Sequence, residues 1–390
     1  MTQADGLEAG AAAEHRERAR AWRVALVHDW LTGMRGGEKV LDALAELYPH
    51  ADLFTMVHVR GSVSPALERR RPRAAFTSRL PLARRYYRYF LPLFPAAVEQ
   101  FDLDAYDLVV STSHCAVKSA VRTGRARHLC YCHSPMRYAW DQFDAYFGRA
   151  RLGLASGVLR ALVTRLGRWD AATSGRVDRY LANSQYVAER IRRYYNRRSA
   201  VLYPPVDTEF FRPTGRRPEG YCLVVSALVP YKRLEIAVEA CRLRGVPLRV
   251  VGTGPDLPRL RRAGGQAVSF LGTRTDEEIR ELYCGARAVL LPGVEDFGLV
   301  PVEAQACGRP VVALAEGGAR ETVVDGQTGV LVNGPTPAAF AEGLGRLDAL
   351  PIDEAATRAH ALRFSRARFL DGFAAHADAT MAAPKEAVRW

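Results

Sequence analysis

Glu295 and Glu303, two carboxylates with seven residues between them, bracket a turn in which a phosphate could rest. From Leu290 to Ala315 the chain reads apolar run, loop, helix start, glycine stop and second apolar run, a β-loop-α-turn-β unit. Pro301 suits a first helical turn, Gly308 supplies a left-handed stop after Cys307, and Pro310 keeps the helix from resuming. The loop Glu295 to Gly298 therefore turns free N–H groups, those around Gly298, Leu299 and Val300, and the positive end of a helix toward whatever lies above the sheet. One carboxylate beside such an anion seat can accept hydrogen bonds from vicinal hydroxyls and the other can reach a second polyol. That is the chemistry of a nucleotide-sugar pocket. Lys232, at another β-to-α turn, adds a point charge for a phosphate. His133 leaves the C-terminal end of an apolar strand, where open α/β sheets bind ligands.

Positioning these groups requires repeated strand–turn–helix units. Arg23 to His28 reads as a buried parallel strand, Asp29 to Glu38 as the loop leaving it, and Lys39 to Leu47 as a helix. Gly36 and Gly37 in that loop let backbone approach a ligand closely. The loop is not Gly-x-Gly-x-x-Gly, which argues against a nicotinamide dinucleotide. Further strands are expected at Ala51 to Val57, Tyr106 to Ser111, His128 to Cys132 and Val177 to Leu181, with Asn183-Ser184 capping a helix Gln185 to Tyr194. Tyr203-Pro204-Pro205-Val206-Asp207 reads as a linker, and Leu223 to Ala227 opens a second set of units. A late amphipathic helix is expected over Ala361 to Phe373. The boundaries are residues 1–22 as a flexible extension, 23–203 as one domain, 204–366 as a second, and 367–390 as a terminal helix.

At 390 residues the chain exceeds one ordinary core, so two α/β domains fit it. No apolar run approaches the ~18 residues of a membrane span, and residues 1–20 lack the apolar core of a signal peptide. A cytoplasmic location is expected. Seven cysteines without a repeated spacing do not make a disulfide framework, and Cys130 and Cys132 read as core residues. The Asp102-Leu103-Asp104 triplet has the shape of a metal motif but reads as a solvated turn, and no metal or other cofactor is expected. The net charge of +13 implies an anionic partner. No nucleic-acid motif accompanies it, so anionic lipid ranks above nucleic acid. Nine arginines against one acid between Arg60 and Phe90, with Tyr86, Tyr87, Tyr89 and Phe90 interleaved, make residues 60–95 the expected contact with the inner face of the plasma membrane.

Glu295 to Glu303 resembles the Glu-x7-Glu element of retaining glycosyltransferases of family 4. The likeness continues through Asp296 to Pro301, Cys307-Gly308, Pro310 to Val312, Gly317-Gly318 and Asp325 to Gly329, and in Gly36-Gly37-Glu38, His133 and Lys232. It implies a GT-B fold, two doubly wound Rossmann-like α/β domains facing each other across a cleft with a C-terminal helix, from about Ala367 to Met381, crossing back to the first domain, and metal-independent transfer with retention from a nucleotide-sugar. By the same likeness Glu303 binds the nucleotide ribose, Glu295 with Phe297 and Gly298 orients the sugar hydroxyls, and His133 lies near the reacting carbon. Lys232 and the backbone at Gly298, Leu299 and Val300 hold the diphosphate, while Gly36 and Gly37 contact donor or acceptor. Arg137 and Tyr138 help hold acceptor or sugar. Ala227 stands where the family often has Arg, with Arg233 as a substitute. The linker, Val229 to Arg233 and Glu295 to Gly298 resemble the mannosyltransferase branch, which implies GDP-mannose first and UDP-sugars second, with a lipid-linked, polysaccharide or glycolipid acceptor. A non-catalytic nucleotide-sugar-binding scaffold and a nucleotide-sugar epimerase are the alternatives.

Overall fold

Runs of apolar residues bounded by turn formers become strands buried on both faces, as a parallel sheet covered by helices requires. The structure is a computed structural model and describes residues 10–121, 126–140, 143 and 155–384, so the first nine residues of the expected extension and the last six of the chain lie outside it. The chain divides into two compact units, residues 1–205 with 367–390, and residues 206–366.

Among the described residues, the first unit has seven parallel strands: β1 (Val24–Leu31), β2 (Asp52–His58), β3 (Arg73–Ala74), β4 (Leu108–Ser113), β5 (Arg127–Cys132), β6 (Arg179–Ala182) and β7 (Ser199–Val201). Their order is β3-β2-β1-β4-β5-β6-β7. The second unit has β8 (Cys222–Val225), β9 (Leu248–Val251), β10 (Val268–Gly272), β11 (Ala288–Leu291), β12 (Val311–Leu314) and β13 (Gly329–Val332) in the order β10-β9-β8-β11-β12-β13, again all parallel. Both sheets are doubly wound. The order reverses between β1 and β4 in one and between β8 and β11 in the other, and ligands of such sheets bind at the strand C-termini beside that reversal.

Three expectations change. The helix placed at Lys39 begins at Gly36 and runs to Leu47, because Glu38 Oε2 accepts the N–H of extended Arg35 at 3.2 Å and caps the helix one turn earlier. Gly36 and Gly37 are thus its first two residues rather than a free loop. Part of the flexible N-terminal extension is a packed helix, Ala11–Ala19, which buries Ala12, His15 and Ala19. It is held where the Ala12 N–H donates to Asp371 at 2.9 Å and His15 bridges Asp378 at 2.8 Å and Tyr48 at 2.9 Å. The helix expected over Ala361 to Phe373 is broken. Glu354–Ala361 ends in a 3₁₀ turn, and a separate helix runs Arg366–Ala382. The cause is tertiary: the Val206 N–H donates to the Phe364 carbonyl at 3.0 Å and the Arg366 N–H to the Val206 carbonyl at 3.1 Å, which draws Ser365 into an extended pairing. Phe369, Phe373 and Ala377 of the last helix then join Leu26, Leu44, Tyr131 and Leu181 in the first unit's core.

Candidate active site

In the second unit the turns after β8 and β11 meet at the reversal point. The first is a 3₁₀ turn, Pro230–Lys232, closed by Arg233 in the left-handed region at φ +52° before the helix Leu234–Arg244. The second begins at Gly293, where a Cβ would lie 2.9 Å from Lys232 Cα, so glycine is what lets the two turns touch. Lys232 Nζ donates to Glu295 Oε1, and both side chains are mostly buried. The sequence gives these two residues separate jobs, phosphate and sugar, and the structure pairs them. Lys232 has three donors, so the pairing leaves N–H groups for a phosphate.

The loop from Glu295 to Gly298 is clamped from β12. The Gly318 N–H donates to the Glu295 carbonyl at 2.9 Å. A Cβ on Gly317 would come within 2.3 Å of the Glu295 carbonyl oxygen, and one on Gly318 within 2.3 Å of that of Phe297. The Gly-Gly pair is therefore a seat for the loop. Gly298, at φ +89°, caps the helix Leu299–Ala306, whose first N–H groups have no acceptor within the helix. Pro301, third in the helix, interrupts no bond. Glu303 is buried, and Tyr283, fully buried at the end of the helix Asp276–Gly285, donates its hydroxyl to Glu303 Oε2 at 3.0 Å. Burial and the neighbouring carboxylate hold the Tyr283 phenol well above its usual range, so it remains a donor.

Phe297 departs from its expected role. Its ring is buried against Phe364, edge to face at 5.6 Å between centroids. It anchors the loop from inside.

The first unit places its expected residues at the C-terminal edge of β1, β4 and β5. The His133 N–H donates to the Ser113 carbonyl at 2.8 Å, and the His133 carbonyl accepts from Asn183 Nδ2 at 3.1 Å. Asn183 thus ties the turn after β6 to that after β5, while Ser184 alone caps its helix through the Val187 N–H at 3.0 Å. Gly37 lies over His133 and His28: an added Cβ would be 3.6 Å from His133 Nε2 and 3.3 Å from His28 Cε1. Arg137 begins a short helix, Arg137–Trp140, with Nε 3.4 Å from Ser134 Oγ. Tyr138 does not behave as expected. It is buried in the apolar cluster with Met136, Phe143 and Val163, so its ring supports the turn instead of facing acceptor or sugar.

Several residues escaped the sequence reading. Asp29, fully buried, accepts the N–H groups of His114, Cys115, Ala116 and Val117 at 2.6–3.0 Å. Burial pushes its carboxyl up, and the four amides oppose that by stabilising the carboxylate. It shapes the turn after β4, which begins with His114. Burial holds the His28 and His114 rings neutral, down to about 3 in each case. Tyr283 behind Glu303 also went unread. A polar residue inside an apolar strand, as in His28-Asp29, was the one available signal.

Asp102 and Asp104 are exposed. Among the described residues no cluster of three or more His, Cys, Asp or Glu could hold a metal ion. A concavity of about 350 Å³ lined by Arg23, Phe54, Arg73 and Tyr106 lies at the N-terminal edge of the first sheet, away from all of these residues.

Residues 34–210 match the family described as Glycosyltransferase Family 4, and residues 206–361 match Glycosyl transferases group 1. The chain is 35% identical over 232 residues to a D-inositol 3-phosphate glycosyltransferase of Geodermatophilus obscurus, covering 51% of this chain and 52% of that protein. It is 34% identical over 225 residues to the protein of that name from Mycolicibacterium smegmatis, covering 51% and 52%. It spans about half the length of these relatives. Among solved structures, HepE of Anabaena in complex with UDP has a TM-score of 0.69 at 20% identity, covering 92% of this chain and 100% of that one. Sucrose-phosphate synthase of Thermosynechococcus elongatus has 0.64 at 19%, covering 92% and 96%. These likenesses carry the fold. The chain therefore has the two Rossmann-like domains of the GT-B fold, its first half similar to Glycosyltransferase Family 4 and its second to Glycosyl transferases group 1.

Proposed function

We propose that the protein transfers a hexose, with retention and without a metal, from a nucleotide-sugar to a lipid-linked or saccharide acceptor. The observation that carries this is the Lys232–Glu295 pair, set where the turns after β8 and β11 touch and beside the N–H groups that open the helix Leu299–Ala306. Departure of the diphosphate puts negative charge on its oxygens and positive charge on the sugar ring, so a site gains rate by stabilising both. Lys232 and the amides at Gly298, Leu299 and Val300 meet the first, with Arg233 beside them. Glu295 releases Lys232 to the phosphate and takes a sugar hydroxyl, and Glu303, held by Tyr283, takes the ribose. The family resemblance assigns His133 and the Gly36 and Gly37 amides of the first unit to sugar and acceptor. GDP-mannose is the first donor, on the motif resemblance. UDP-sugars are the second, favoured by a solved structure of HepE that holds UDP-glucose. Thermal shifts with GDP-mannose and UDP-glucose, followed by NMR of the anomeric configuration of the product, test this. No shift with either, or an inverted product, refutes it.

Membrane docking belongs to the same proposal. Within the segment expected to touch lipid, the short helices Phe76–Arg79, Ala83–Tyr86 and Tyr87–Leu93 and the capping residue Leu82 between them expose Phe76, Leu82, Tyr86, Tyr89 and Leu93 beside Arg84 and Arg85. The helix Ala155–Ala172 packs against Tyr87–Leu93 and exposes Val158 and Leu162 with Arg160, Arg165 and Arg168. Exposed apolar side chains among arginines suit an anionic lipid surface, and no described helix is long and apolar enough to span a bilayer. Flotation with anionic liposomes should lose the Arg84→Glu, Arg85→Glu, Arg88→Glu variant while recovering the parent.

A further inference from the structure

Beneath the helix start at Gly36 lies a buried imidazole that none of these steps uses. His28 sits within β1 and is fully buried. Its Nδ1 is 2.6 Å from Thr112 Oγ1 on β4, whereas its Nε2 has no hydrogen-bond partner among the described residues. A buried polar atom left so is costly and calls for an explanation. Glu38 Oε1 lies 4.0 Å from Nε2, beyond hydrogen-bond distance, and Glu38 Oε2 caps the helix through the Arg35 N–H. The same ring supports two residues of the proposed site. Gly37 rests on His28 and His133 together, and the two rings meet edge to face with 6.4 Å between centroids. A larger residue at position 37 would push them apart.

We propose that His28 is a positioning residue for the transfer reaction: its neutral ring sets the height of the Gly36–Gly37 amides and the orientation of His133, with Glu38 as the proton partner of Nε2. The positioning half rests on the function proposed above; the proton pairing does not. Besides each other, the pair is faced by Asp29 on β1, His114 in the turn after β4, His133 after β5 and Arg35 before the helix. Burial keeps His28 neutral and pushes Glu38 up to about 7. Two hydrogen-bonding states follow. With Glu38 protonated, its carboxyl donates toward Nε2 and Nδ1–H donates to Thr112. With Glu38 ionised, Nε2–H points at Oε1 and the Thr112 hydroxyl donates to Nδ1. Between them one proton leaves to solvent and the ring changes tautomer while staying neutral.

Long-range ¹⁵N–¹H NMR of the whole chain, from about pH 5.5 to 8.5, reads the ring directly. His28 is expected to stay neutral and change tautomer with a midpoint near that of Glu38, and Glu38→Gln to abolish the change. One tautomer throughout overturns the pairing. Kinetics with the donor test the positioning. His28→Phe keeps the ring shape without the nitrogens and is expected to lose about tenfold in kcat with donor KM within about twofold. His28→Gln, whose amide reaches the place of Nε2, is expected to recover most of that loss. Parental kcat in the Phe variant, or no recovery in the Gln variant, overturns it. If His28→Phe does not fold, Thr112→Val removes only the Nδ1 partner, and parental kcat and His133 shifts in that variant would overturn it equally. A chain with no turnover of any nucleotide-sugar would refute the function proposed and the positioning with it, leaving the proton pairing to stand or fall on the spectra.

Discussion

Gly318→Ala tests how closely the loop from Glu295 to Gly298 must be held. Gly318 has φ −65°, so alanine suits its own backbone, and stiffening the unfolded chain would even favour the fold by ~0.4–1 kcal/mol. The obstacle is the loop. The new Cβ would lie 2.3 Å from the Phe297 carbonyl oxygen and 2.4 Å from its Cα, both backbone atoms that no rotamer change can remove. Reaching an ordinary contact near ~3.4 Å requires a displacement of about 1 Å, and Glu295 and the Gly298 amides move with Phe297. A shift of that size at a reacting geometry costs on the order of 100-fold in rate, or ~2.7 kcal/mol of barrier. Overpacking adds ~1–3 kcal/mol of instability, so the variant should stay folded with a lowered melting temperature. The assay is kcat/KM for the donor beside a melting curve. Gly326→Ala is the control: Gly326 has φ +78° and open space around it, so alanine there strains only its own turn and leaves turnover unchanged. Parental kcat/KM in a folded Gly318→Ala protein would refute the view that this seat places the loop.

Lys232→Ala and Glu295→Ala should each lower turnover by at least ~100-fold, as loss of one charge-stabilising group does; steady-state rates with the true donor check this. Tyr283→Phe removes the hydroxyl that holds Glu303 and should raise donor KM several-fold for a stability loss of ~1 kcal/mol, read by isothermal titration and melting. Phe373→Ala should destabilise the first unit by ~3–5 kcal/mol in denaturant titrations, since the ring is fully buried. Stability should also vary with pH in two opposed ways. His28 and His114 are held neutral in the fold, down to about 3 against 6.5 for the free side chain, so the unfolded chain binds more protons and stability falls as pH drops from 6.5 toward 3. Glu38, raised from 4.5 to about 7, contributes most below 4.5 and loses its contribution as pH rises through 7. Melting temperatures between pH 4 and 8 should therefore pass through a maximum, and a flat profile would contradict both shifts.

What the sequence made legible was local. Apolar runs such as Ala288–Leu291 must be buried strands, and Gly298, Pro301 and Gly308 mark a helix start and stop whatever surrounds them. The clustering of Glu295, Lys232 and the helix start at one reversal point followed from β-loop-α order. Contacts between distant segments were not legible. Nothing local at Ser365 says that Val206 will take its neighbours' backbone groups, and nothing at Asn183 says that it reaches the carbonyl of His133. Tyr138 and Phe297 stand in motif positions that point to a ligand, yet burial decides their rings, and burial is a property of the packed whole. Glu38 is the intermediate case. A capping acid three residues after Arg35 is a local signal, and reading it would have started the helix at Gly36.

The return of the last helix to the first unit bears on how the chain is made. A ribosome delivers residues 206–366 complete before it delivers Phe369 and Phe373. The second unit can therefore close its core while the first still has an apolar gap beside Leu44 and Tyr131. Domains emerging during synthesis fold as units. Here the half that emerges first is the half that finishes last, and nascent chains arrested before residue 367 should be digested by protease in the first unit while the second resists.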